Sequence, residues 1–255
     1  MNVKRIILYV LIVISVLSVV SCKEEFPTLE DFAEYSKYLE NGDLEGVKRY
    51  YKRFGPRSVE QYGLEGLFMI NPLESSIILH KDDITEFLLQ KGANPNALSP
   101  YSGDSILFTA IIEENINAIK LLLKYNINLE VFTNKGKATP LSCAAMSGNV
   151  EVLDMIYKKT KDINIRNEDN STALFGAIIM GHFDCVKFLV NRKIDVNAID
   201  SIGCSALMYA VNNGRIDICE YLIEHGADIS IVDNEGYTAK WIADELKLQI
   251  KGLTY

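Results

Sequence analysis

The amino-acid sequence predicts an all-α solenoid, a stack of six to seven helix–turn–helix units with protruding β-turns. Three observations carry that prediction. One anchor position recurs as Leu73, Leu107, Leu141, Leu174 and Leu207, closed by Lys240, at separations of 34, 34, 33, 33 and 33 residues, and a fixed period of this size marks a repeat array. Two positions before each anchor stands a residue suited to cap a helix: Asn71, Ser105, Thr139, Thr172, Ser205 or Thr238. Three positions after it the side chain is small, as Ser76, Ala110, Ala144, Ala177 or Ala210, which is what closely packed helices require.

Each unit opens with a short helix. The capping oxygen can accept from an orphan backbone N–H, worth about 1 kcal/mol. Proline at the first helical position, as at Pro72 and Pro140, removes a donor that had no partner to lose. Seven positions past the anchor, Gly148, Gly181 and Gly214 can end that helix in the left-handed conformation. A second helix follows, and its apolar pairs, Phe87 and Leu88 in one unit and Phe188 and Leu189 in another, make one stripe at helical spacing. Before the next cap a turn projects, carrying Gly103, Gly136, Asn170, Gly203 or Gly236, residues that tolerate positive φ.

The array is expected over residues 29–255, with atypical ends, because terminal units must face water on one side. Thr28-Leu29-Glu30-Asp31 reads as a capped start with acids in the first turn. Tyr35, Leu39, Asn41-Gly42-Asp43 and Val47 fit a degenerate first repeat, residues 29–66, broken at Gly55-Pro56 and followed by an insertion from Arg57 to Gly66. The last unit, residues 238–255, reads as a truncated closing helix with Trp241 and Ile242.

The composition excludes several functions. Of 255 residues 48% are hydrophobic, enough to bury a core, and 34 acids against 26 bases leave a net charge of −8, unlike a phosphate-coating nucleic-acid binder. Five cysteines form no disulfide scaffold, and three histidines give little material for catalysis or metal binding. Residues 1–21 read as a signal peptide: Lys4 and Arg5, then an apolar run from Ile6 to Val20 that is short for a spanning helix. Val19-Val20-Ser21-Cys22 resembles the lipobox of bacterial lipoproteins, which implies cleavage before Cys22 and lipid on that cysteine; an ordinary signal peptide or an uncleaved anchor helix that ends in a cysteine is the alternative. Loss of Lys4 and Arg5 would leave the mature chain at −10, so lipid rather than charge would hold it to a membrane. Residues 22–28 would be a tether, and the five residues from Lys23 to Pro27 reach at most ~18 Å. The expected location is the bacterial envelope, on its periplasmic face or at the cell surface.

The repeats resemble the ankyrin family in Thr139-Pro140-Leu141, Gly226-Ala227-Asp228, Gly92-Ala93-Asn94 and Gly181-His182. They depart from it one position after the anchor, where a histidine is usual: here stand Glu74, Phe108, Ser142, Phe175 and Met208, so the usual bond from that histidine to the capping residue is expected to be lost. The resemblance implies a protein partner held on the concave side by turn tips and by the exposed end of each first helix. On those helix ends it points to Ile112, Glu113, Met146, Ile179, Met180, Asn212 and Asn213, an apolar ridge giving way to amides. On the tips it points to Tyr101, Asp104, Lys135, Glu168 and Tyr237, of mixed charge. Contiguous exposed apolar side chains mark binding sites, although some of these could instead pack beneath the turns.

No phosphate loop, nucleophile elbow or paired-histidine helix motif occurs. The resemblance gives His182 a structural bond to backbone. His80 and His225 fall in turns, and Cys143, Cys185, Cys204 and Cys219 read as free, mostly packed thiols. Asn170-Ser171-Thr172 matches a glycosylation acceptor, but its asparagine suits the turn. The chain is therefore expected to be a non-catalytic, monomeric binding module without cofactor, metal or nucleic acid, reaching the membrane through its lipid. An inhibitor or immunity protein, or an envelope or redox-enzyme accessory, remain alternatives.

Overall fold

The structure, a computed structural model, describes residues 27–56, 71–100, 102–130, 133 and 138–253. Among them are thirteen helices: α1 (Leu29–Asn41), α2 (Leu44–Phe54), α3 (Pro72–Ile78), α4 (Asp82–Gln90), α5 (Ile106–Ile112), α6 (Ile116–Leu122), α7 (Pro140–Met146), α8 (Val150–Tyr157), α9 (Ala173–Met180), α10 (Phe183–Asn191), α11 (Ala206–Asn212), α12 (Ile216–Glu224) and α13 (Ala239–Glu245). Odd-numbered helices pack on one another in an inner layer and even-numbered helices in an outer one, so the chain is an all-α repeat solenoid as the period predicts. Antiparallel bridges Leu98 to Ser105, Ile199 to Ser205 and Val232 to Thr238 form the bases of projecting fingers.

The anchor pattern becomes the core. All five anchor leucines are at most 1% exposed, and each contributes about 1.5–3 kcal/mol by leaving water. Ser76, Ala110, Ala144, Ala177 and Ala210 are fully buried where the layers meet. The turn after each inner helix takes positive φ in every unit, at Gly148, Gly181 and Gly214 but also at His80, Glu114 and Lys247. A side chain there carries roughly 1–2 kcal/mol of strain, which the fold tolerates in three units.

Five of the six expected caps accept a backbone N–H: Asn71, Ser105, Thr139, Ser205 and Thr238. Thr172 does not. The Phe175 N–H donates instead to the Thr172 carbonyl at 3.1 Å, and the phenylalanine offers the buried Thr172 hydroxyl no polar group. Ser142 shows the opposite outcome. Thr139 Oγ1 donates to Ser142 Oγ (3.1 Å), which donates to Asn167 Oδ1 (2.8 Å), and that same oxygen accepts the Thr139 N–H (2.8 Å). The bond expected to be lost with histidine is thus replaced in this unit by one that also ties its cap to the next finger.

Along the outer edge a side-chain ladder joins successive units. Asn96 Oδ1 accepts the Asn128 N–H, Asn164 Oδ1 the Asp195 N–H and Asn197 Oδ1 the Asp228 N–H, each at 2.7 Å. At the rung between the third and fourth units stands Glu130, which meets the Lys161 ammonium at 3.1 Å, with both side chains largely exposed. An open cavity of about 850 Å³ lies beside that rung, lined among others by Asn128, Glu130, Lys159 and Asp162.

The first unit is sealed by aromatic packing. Thr28 and Asp31 form a reciprocal capping box, and Tyr35 stacks on Tyr50 with ring centres 4.2 Å apart. The expected signal segment, Cys22 and the expected insertion from Arg57 to Gly66 lie outside the described residues.

Candidate partner-binding face

The exposed ends of α3, α5, α7 and α9 carry the apolar ridge that the sequence predicts. Ile112 is the most open at 71%, and Ile78, Met146, Ile179 and Met180 are also exposed. Met146 is the most supported of them. A Cβ on Gly176 would stand 2.6 Å from Met146 Cγ and 3.3 Å from the Ser142 carbonyl, so the missing side chain in α9 is what lets α7 lie close and seats the methionine. Glu113, Asn212 and Asn213 are exposed, and Asn213 Nδ2 donates to the Tyr209 carbonyl at 2.8 Å.

The finger tips are less uniform. Asp104 is half-buried, its backbone carbonyl accepting the Ser99 N–H at 2.6 Å; Glu168 is exposed, and Tyr237 is half-buried against Trp241. Tyr101 and Lys135, also expected at the tips, lie outside the described residues, as does the lipidation candidate Cys22. Trp241 was expected only as part of the closing helix. Its four-residue spacing from Tyr237 is the signal that could have found it, because a finger and a helix start meet there with rings 4.0 Å apart.

The fingers of the fifth, sixth and seventh units are joined through their backbones. Ser201 N–H donates to the Asp169 carbonyl at 2.8 Å, and Asn234 N–H to the Ile202 carbonyl at 3.0 Å. Arg166 donates to the carbonyls of Asn170 and Ile199, adding a side-chain link between the first two of these fingers. Within it Asp200 is buried, accepting the N–H groups of Ile202 and Cys204 and the Tyr209 hydroxyl. Burial and the negative charges of Asp200 and Asp233 push the Cys204 thiol up to about 11, and burial with the Asp200 bond raises Tyr209 well above the phenol range. Both groups stay neutral at physiological pH.

The other titratable groups do structural work. His182 Nε2 lies 3.0 Å from the Met146 carbonyl, with its ring filling the space left by Gly148, and His225 Nδ1 lies 2.8 Å from the Tyr221 carbonyl. Cys143, Cys185, Cys204 and Cys219 are free, and burial raises the thiols of Cys143 and Cys219 to about 12 and that of Cys185 to about 11. Among the described residues, no group of three His, Cys, Asp or Glu is placed to hold a metal ion, and no helix is long and apolar enough to cross a membrane.

The profile of the family described as Ankyrin repeats (3 copies) matches residues 75–167 and 157–233, together more than half of the chain. Among curated proteins, α-latrocrustotoxin-Lt1a of Latrodectus tredecimguttatus is 30% identical over 100 residues, covering 39% of this chain and 7% of the toxin. A putative ankyrin repeat protein of Rickettsia felis is 34% identical over 84 residues, covering 32% of this chain and 27% of that protein. A putative ankyrin repeat protein of Acanthamoeba polyphaga mimivirus is 40% identical over 52 residues, 20% of this chain and 12% of the relative. The aligned parts therefore span about a quarter or less of each relative's length.

Proposed function

This chain belongs to the ankyrin repeat family, and from that premise we propose that it is a non-catalytic module that grips a protein partner on its concave face while a lipid on Cys22 holds it to a bacterial envelope. The observation that carries the binding half is the exposed row Ile78, Ile112, Met146 and Ile179, one aliphatic side chain on each of four consecutive inner helices. Exposed apolar side chains aligned on rigid elements are costly to leave in water and mark a surface that is covered in use, and methionine adapts to varied contours. The backbone contact of His182 and the burial of Cys185 and Cys219 give those groups structural surroundings, which supports a binding reading of the face.

The test of the binding half is capture from envelope extract, comparing the wild-type chain with an Ile112→Asp, Met146→Asp, Ile179→Asp variant. A partner retained by wild type and lost by a variant of unchanged helical circular dichroism supports the ridge. Equal capture by both refutes it. The anchoring half rests on Val19-Val20-Ser21-Cys22 and is tested by labelled-palmitate incorporation. Label that disappears in Cys22→Ala supports lipidation, whereas no label in the wild type rejects it.

A further inference from the structure

Resting on that reading of the concave face, we infer that the linked fingers of the fifth to seventh units, with Trp241, take a cationic segment of the partner, one in which arginine or lysine alternates with apolar side chains.

Three observations converge on that chemistry. The first is apolar: Ile202 and Trp241 are 56% and 46% exposed, and Ile199 and Val232 flank them on the same fingers. The second is charge. These fingers, residues 166–171, 199–204 and 232–237, carry Glu168, Asp169, Asp200, Asp233 and Glu235 against Arg166 alone, and the Arg166 guanidinium is engaged with two backbone carbonyls. Lys240, next to the strip, pairs with Asp244 at 3.1 Å. The third is aromatic. Tyr237, two residues along the finger from Glu235, stacks at 4.0 Å and 25° on Trp241 of α13, whose indole is exposed. An indole face attracts a guanidinium or ammonium through its quadrupole, and neighbouring carboxylates add to that attraction. An anionic membrane surface is disfavoured by the same acids. Backbone bonds between the fingers hold the apolar, acidic and aromatic groups in one strip, so a single extended segment can meet all three.

Trp241 is the single tryptophan of the chain, so its fluorescence reports occupancy of this strip. The full chain is titrated in detergent with a decapeptide of alternating arginine and leucine, and with its counterpart in which each arginine is replaced by citrulline, which keeps the shape and removes the charge. Saturable fluorescence change with the arginine peptide is expected, with the citrulline peptide about tenfold weaker or worse. A Glu168→Lys, Glu235→Lys variant should lose about the same factor. A Glu86→Lys, Glu224→Lys variant, equal in net charge but altered on the outer helices, should stay within about twofold. Equal binding of both peptides, equal loss in both variants, or no response to either peptide overturns the assignment. Circular dichroism confirms that each variant is folded. Partner capture by the Ile112, Met146 and Ile179 ridge is read in a separate assay, so failure of either reading is visible without the other.

Discussion

The joint between the third and fourth units and the joint between the fourth and fifth are built from the same repeat yet differ in how they are closed. At the second of these, Gly176 lets α9 approach α7, the His182 ring fills the space above Gly148, and Asn167 bonds the Thr139 cap through both backbone and Ser142. Asn164 completes the outer edge. At the first, an exposed Glu130–Lys161 ion pair replaces the asparagine rung beside an open cavity. An exposed pair of this kind contributes about 0–1 kcal/mol. The stability of a solenoid is close to a sum of unit and nearest-neighbour terms, so a single side chain at each contact sets where the array opens first. Asparagine can both accept and donate across the edge; glutamate can only accept.

The largest effect that would break this contrast is at the tight joint. Gly176→Val should cost about 2 kcal/mol or more in urea unfolding, since its side chain would overlap Met146 and the Ser142 carbonyl. Cys143→Val, at the equivalent position facing the loose joint, should cost less than half as much. Equal losses would mean that the two joints pack alike. Next come the caps. Thr139→Val removes a hydroxyl engaged on both sides and should cost about 1–2 kcal/mol, whereas Thr172→Val removes a buried hydroxyl without a partner and should leave the unfolding midpoint unchanged or raise it.

Smaller still, Glu130→Asn should restore the missing rung and stabilise by up to about 1 kcal/mol, with slower amide exchange at Asp162. A fall in the melting temperature would reject the ladder as a source of stability. The smallest structural perturbation is a reagent test on the fingers. With its thiol raised to about 11, Cys204 ionises only as the pH climbs toward that value, so at pH 8 it should react with a disulfide reagent at least about tenfold more slowly than in the unfolded chain. A rate equal to the unfolded one would argue against the burial and acidic surroundings assigned to that thiol.

The layout of the solenoid was legible because a period of 33 or 34 writes the same local physics several times. Buried leucine, small contact residue and capping side chain recur at fixed offsets, and five of six caps behave as their residue type dictates. What escaped are effects that depend on a residue in the next unit. Thr139 succeeds doubly because Asn167 arrives from the following finger, whereas the buried Thr172 hydroxyl meets no such partner. The left-handed turns at His80, Glu114 and Lys247 were hidden because only glycine announces that conformation. For the candidate face, the ridge could be read from its offset, whereas the Tyr237–Trp241 stack joins two element types and has no counterpart in the other units to reveal it.

The backbone bonds from Ser201 to Asp169 and from Asn234 to Ile202 have a kinetic corollary. Loops already held in register have little conformational freedom left to surrender when a ligand arrives, so capture on that side of the molecule should proceed at a rate governed by diffusion and long-range attraction rather than by waiting for the fingers to arrange themselves.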